Sequence, residues 1–101
     1  MRLKNREHFH PRSAVRLSGN KQGLIFYLCR NYASLSPRKQ AILDECFDEA
    51  GGEYAAALKA YMTTAESSVK ICLEHYIGSE NTLHILARRF YECFPIERFF
   101  R

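Results

Sequence analysis

No run in this 101-residue sequence is long and apolar enough to cross a bilayer. The longest nearly apolar stretch, Leu24 to Cys29, falls far short of the ~20 residues that a spanning helix needs. Nor does the basic segment from Met1 to Lys21 contain the apolar core of a secretory signal. The expectation is a cytoplasmic protein with no membrane association, whose four cysteines are reduced thiols. Close cysteine pairs are missing as well. Cys29, Cys46, Cys72 and Cys93 are widely spaced, whereas structural zinc sites bring their ligands in close pairs. Each cysteine falls on or beside an apolar helical stripe, the place of a small core residue. His8 and His10 form a solitary His-x-His. We expect neither metal nor cofactor.

Catalytic patterns are equally scarce. There is no glycine-rich phosphate loop, no Gly-x-Ser-x-Gly elbow and no His-Glu-x-x-His motif. Cys72 and His75 stand three apart on one side of a helix, a placement that seldom aims two side chains at one substrate. The acidic cluster Asp44, Glu45, Asp48 and Glu49 reads as the solvent face of a helix rather than a catalytic pair. A non-enzymatic protein is the expectation. Internal repeats, low-complexity tracts and interdomain linkers are lacking too, which leaves one domain.

What is present is globular composition: 47% hydrophobic and 13% aromatic residues against 26% charged. A chain of this length buries enough surface for one core without staples. The net charge of +4 is unevenly placed. Residues 1–22 hold Arg2, Lys4, Arg6, Arg12, Arg16 and Lys21 against Glu7 alone, while residues 38–70 are net acidic. A basic arm ahead of a near-neutral body suits an anionic partner, or simply a solvated tail.

Helical periodicity runs from about residue 21 to 94. Residues 1–19, with Pro11 and Gly19, read as an irregular arm, with a weak strand-like alternation over Ser13 to Leu17. A first helix is expected from about Lys21 to Ala33, capped by Asn20. Ser36 and Pro37 open a second, which Gly51-Gly52 close. A third covers about Glu53 to Met62, favoured by Ala55 to Ala57. Thr63-Thr64-Ala65-Glu66 reads as a capping box opening a fourth, whose inward stripe would be Ala65, Val69, Cys72, Leu73 and Tyr76. Ser79 caps a fifth, which Pro95 ends. The predicted core includes Leu28, Ile42, Phe47, Leu58, Val69, Leu73, Leu83, Leu86 and Phe90. Ile96, Phe99 and Phe100 should dock on this core or on a partner. The fold class is therefore all-α, a compact bundle of about five short helices over residues 20–101.

The stretch from Ala65 to Tyr91 reads helix, short turn, helix. In such a unit the second helix enters the major groove with its N-terminal side chains toward base edges. Ser79, Asn81 and Thr82 can donate and accept hydrogen bonds there, and His84, Arg88 and Arg89 extend the polar face. Leu83, Leu86 and Phe90 hold the helix to the body. The stretch resembles the helix-turn-helix of bacterial transcription factors, especially the promoter-reading region of sigma factors and related small regulators. The resemblance rests on Ile77-Gly78-Ser79-x-x-Thr82-Leu83 followed by Arg88, and covers about a quarter of the chain. It departs from the family in placing Gly78 between Ile77 and Ser79 rather than before the pair. The small residue expected in the supporting helix is Cys72 if the turn is one residue longer, and Leu73 otherwise. Glu80 also sets a negative charge near the bases.

The resemblance implies a transcriptional or mobile-element regulator that binds double-stranded DNA, with a homodimer on a palindrome as its expected form. Asn81 and His84 would lie nearest base edges, with Arg88 and Arg89 on phosphates or guanine. Arg2, Lys4, Arg6, Arg12 and Arg16 would add phosphate or minor-groove contacts. The alternative is a protein-binding module. It would be a complex subunit, or an inhibitor of a bacterial nucleic-acid enzyme in the manner of anti-CRISPR proteins, with tyrosines or the Phe99-Phe100 tail as hot spots.

Overall fold

Local chemistry sets each helix boundary. The computed structural model describes Phe9, Arg12 and residues 15–101. Helix α1 (Gly19–Arg30) begins before the expected Lys21, because Ser18 and not Asn20 is the cap: its hydroxyl accepts from the Lys21 amide at 3.2 Å. It ends early because Asn31 folds back, its side-chain amide donating to the Tyr27 carbonyl at 2.7 Å. A 3₁₀ turn (Tyr32–Ser34) follows. Helix α2 (Pro37–Gly51) has Ser36 as cap and Pro37 in its first turn, as the sequence predicts. Gly52 stops it at φ +56° and ψ −126°, a conformation open essentially to glycine. A second 3₁₀ turn (Gly52–Tyr54) leads into α3 (Ala55–Thr63).

The junction of α3 with the next helix corrects the sequence reading. Thr63 and Thr64 do not cap a following helix. Their hydroxyls donate backward to the Lys59 and Ala60 carbonyls, each at 2.6 Å, and so finish α3. The true cap is Ser67, which accepts from the Lys70 amide, and α4 (Ser68–Glu74) is only seven residues long. This placement turns Ser68, Ile71 and Cys72 inward. Val69, Leu73 and Tyr76, expected on the inner stripe, are instead 51%, 74% and 93% exposed. A Schellman-type turn closes α4, with the Ile77 amide donating to the Cys72 carbonyl at 2.9 Å across Tyr76, whose φ is +57°.

Helix α5 (Glu80–Cys93) starts from Ser79, whose hydroxyl accepts from the Asn81 amide. Helix α6 (Ile96–Phe99) follows Pro95 and seats Phe99 in the core, while Phe100 stays about half exposed. So Phe99 is not available as a partner contact.

Among the described residues the architecture is all-α. Helix α2 packs chiefly on α3 and α5, and α1 lies against α3. One core joins Ile25 and Cys29 of α1, Leu43 and Phe47 of α2, Leu58 of α3, Ile71 of α4, Leu83 and Phe90 of α5, and Phe99. At its centre the Phe47 and Phe90 rings stack with centroids 4.6 Å apart and planes 13° from parallel. The radius of gyration is 13.0 Å, that of a close-packed chain of this length.

Part of the arm belongs to this body. Val15 is buried in the core, and Phe9 packs on Phe26 with ring centroids 5.3 Å apart. Buried Gln22 holds the segment in place. It accepts from the Arg12 amide at 2.9 Å and donates to the Arg12 and Leu17 carbonyls at 3.2 and 2.9 Å. His8, His10, Ser13 and Ala14 lie outside the described residues.

Candidate nucleic-acid interface

Helix α5 divides cleanly into two faces. Leu83, Leu86, Ala87, Phe90 and Tyr91 are buried. Asn81, Ile85, Arg88, Arg89 and Glu92 are exposed and recur at the spacing that places them on one side of a helix. Thr82 and His84 are half-buried at the edge of that stripe. Ser79 is the cap, its hydroxyl accepting from the Asn81 amide at 3.2 Å. Glu80 sits in the first turn, where a negative charge complements the positive end of the helix dipole.

The turn between α4 and α5 covers residues 75–79. The left-handed residue is Tyr76, four after Cys72, and Ile77 behind it is buried. Gly78 follows, exposed, before the Ser79 cap. Cys72 faces inward; burial, with the nearby Glu80 charge, raises its thiol pKa.

Two arm residues meet this surface. The Arg16 amide donates to Glu92 Oε2 at 3.1 Å, and the same carboxylate oxygen lies 3.5 Å from Arg88 Nε. Arg16 is itself exposed. Arg12 lies further along, its guanidinium donating to the Tyr61 hydroxyl at 2.7 Å and facing the Tyr61 ring. The His84 imidazole approaches the same ring at 6.3 Å between centroids. Tyr61 thus brings Arg12 and His84 to one place, and Glu92 does the same for Arg16 and Arg88. Arg2, Lys4 and Arg6 lie outside the described residues.

The acidic cluster lies elsewhere. Asp44 pairs with Lys59 at 3.0 Å and accepts from the Tyr32 hydroxyl, Glu45 pairs with Arg98, and Asp48 and Glu49 are exposed. All four are on the outer side of α2, whose inner side, through Cys46 and Phe47, faces α5.

Sequence reasoning singled out neither Gln22 nor Ile85, and named Tyr61 only on the face of the third helix and among the hot-spot tyrosines of a protein-binding module. Nothing in a linear pattern links Tyr61 to Arg12, 49 positions away. Ile85 was discoverable, because it lies four residues after Asn81 on the polar face. Among the described residues, no three His, Cys, Asp or Glu side chains are arranged to hold a metal ion, and no helix is long and apolar enough to cross a membrane. Compared with models of protein families, with curated proteins and with solved structures, the chain matches none.

Proposed function

We propose that this protein is a non-enzymatic, cytoplasmic regulator that binds double-stranded DNA by laying α5 in the major groove, with the arm alongside. The observation that carries the reading is the outward stripe of α5. Asn81, Ile85, Arg88 and Arg89 stand in a row on a helix that follows a short supporting helix and a tight turn. An asparagine amide can bond adenine bidentately, an arginine can bond guanine, and an exposed isoleucine suits a thymine methyl. Arg88 and Arg89, with Arg16 beside them, would equally serve phosphates, and Glu92 would exchange Arg88 for solvent when DNA binds. A second copy on a palindromic half-site would supply the contacts that one small domain lacks.

The test is a salt titration of duplex binding, after selection of a preferred sequence from a random pool. Wild type should bind with a log–log slope that falls by about 0.9 for each phosphate contact removed. Asn81→Ala should relax preference at one or two positions. Arg88→Ala/Arg89→Ala should weaken binding and flatten the slope. No salt-sensitive duplex binding at low ionic strength would refute the proposal.

One observation favours a protein partner instead: the exposed Val69, Leu73 and Tyr76 of α4 and its turn. On that reading Leu73→Glu would abolish partner capture, while Arg88→Ala/Arg89→Ala would leave it intact.

A further inference from the structure

The sulfur atoms of Cys46 and Cys93 are 3.1 Å apart, although 47 positions separate them in sequence. Cys46 lies on the inner side of α2, and Cys93 is the last residue of α5. Both thiols also point at one carbonyl, that of Phe90, at 3.8 and 3.6 Å. The two helices are fixed against each other by the Phe47–Phe90 stack, with Phe47 next to Cys46 in sequence and Phe90 one helical turn before Cys93. The sulfurs are thus held in contact by the same packing that makes the core.

The two cysteines are not equivalent. Cys93 is half-buried, while Cys29, Cys46 and Cys72 are buried, so Cys93 is the thiol most open to a small reagent. Their acidities diverge as well. The hydrogen bond from Cys46 holds the Cys93 thiol below the ordinary range, although burial and the Glu49 charge oppose it. Cys46 is pushed up by that same hydrogen bond and by burial. A thiolate that is accessible and backed by a second, protonated thiol is the arrangement of an oxidisable pair with a resolving partner.

We propose that Cys46 and Cys93 form a dithiol site that a hydroperoxide oxidises to an intramolecular disulfide, fastening α2 to the C-terminal end of α5. The Cys93 thiolate attacks one oxygen of the hydroperoxide. The O–O bond breaks, the departing oxygen takes a proton, and Cys93 becomes a sulfenic acid. The Cys46 sulfur then attacks the Cys93 sulfur, the S–O bond breaks, and the hydroxide leaves as water with the Cys46 proton. In sum, two thiols and hydrogen peroxide give one disulfide and two waters. Reaching the disulfide length of about 2.05 Å requires the sulfurs to close by roughly 1 Å, a movement within side-chain reach. The inference is independent of DNA binding, since neither sulfur lies on the outward stripe of α5.

Trypsin separates the four cysteines into different peptides, with Cys29 in 22–30, Cys46 in 40–59, Cys72 in 71–88 and Cys93 in 90–98. The experiment treats the reduced full-length chain with equimolar hydrogen peroxide, blocks the remaining thiols and maps the unreduced digest by mass spectrometry. We expect one dominant product, peptide 40–59 linked to 90–98, lighter than the two peptides by two hydrogens, with no disulfide between chains. Cys29→Ser/Cys72→Ser should give the same link. Cys46→Ser should strand Cys93 as a sulfenic acid that dimedone captures. The oxidised chain should also melt at higher temperature, because the link constrains a long loop of the unfolded state. The proposal is overturned if Cys72 or Cys29 is oxidised first, if Cys93 proceeds to sulfinic acid without linking, or if only interchain disulfides form. The wild-type map decides this even if a serine variant fails to fold.

Discussion

Gln22 is a polar side chain in the position of a core residue, and its three hydrogen bonds explain why it is buried. Replacing it with alanine strands the Arg12 amide and the Leu17 carbonyl, so Gln22→Ala should cost about 1–3 kcal/mol in denaturant unfolding. The same change should loosen Arg12 from Tyr61 and move Tyr61 signals in an NMR spectrum. Tyr76 presents the opposite case. Its side chain is almost wholly exposed, yet its backbone is left-handed. Tyr76→Gly should therefore raise stability by up to about 1 kcal/mol, read from the unfolding midpoint, because strain is relieved and little packing is lost. A fall in stability would mean that the ring makes contacts it does not make here. Neither residue was legible as such. A buried glutamine looks like any polar residue in a helical pattern, and the requirement for glycine in a turn is visible only when glycine meets it.

At the scale of elements, legibility followed the uniqueness of the cap. Ser36-Pro37 and Gly78-Ser79 leave one sensible start each, and α2 and α5 begin there. Between α3 and α4, Thr63, Thr64 and Ser67 all compete, and a hydroxyl can as well close the helix behind it as open the one ahead. The choice fixes which way a seven-residue helix faces. The orientation of α4 has measurable consequences. Ser67→Ala should cost about 1 kcal/mol as a lost cap. Ile71→Ala should cost about 2–5 kcal/mol as a core truncation. Val69→Ala and Leu73→Ala should each stay within about 0.5 kcal/mol. If Leu73→Ala proves as costly as Ile71→Ala in urea unfolding, α4 is turned the other way. The polar face of α5 was legible because its apolar residues recur without interruption from Leu83 to Phe90.

At the scale of the whole molecule, distant segments are joined by pairs that no local pattern announces. Arg98 of α6 bonds Glu45 of α2 through two contacts, at 2.9 and 3.3 Å. That hydrogen-bonded pairing holds the Glu45 carboxyl below its ordinary range. A carboxylate with a depressed folded pKa contributes stability above its unfolded pKa and loses it as pH falls through the folded one. Acidification should therefore weaken the docking of α6, by a small and salt-sensitive amount because both groups are exposed. The difference between wild type and Glu45→Gln in thermal melts should shrink as pH falls. The arm's place beside α5 was beyond sequence reasoning for a similar reason, since Tyr61 and Glu92 select Arg12 and Arg16 only after the chain has folded. The near-parallel rings of Phe47 and Phe90 carry one more consequence. Each ring lies over the other, where circulating π electrons oppose an applied magnetic field. Ring protons of both residues should therefore resonate upfield of ordinary phenylalanine positions and serve as a built-in spectroscopic marker of the contact between α2 and α5. Any event that tilts α5 against α2 would return those lines toward their usual place, while a rigid-body docking of α5 onto a partner would leave them where they are.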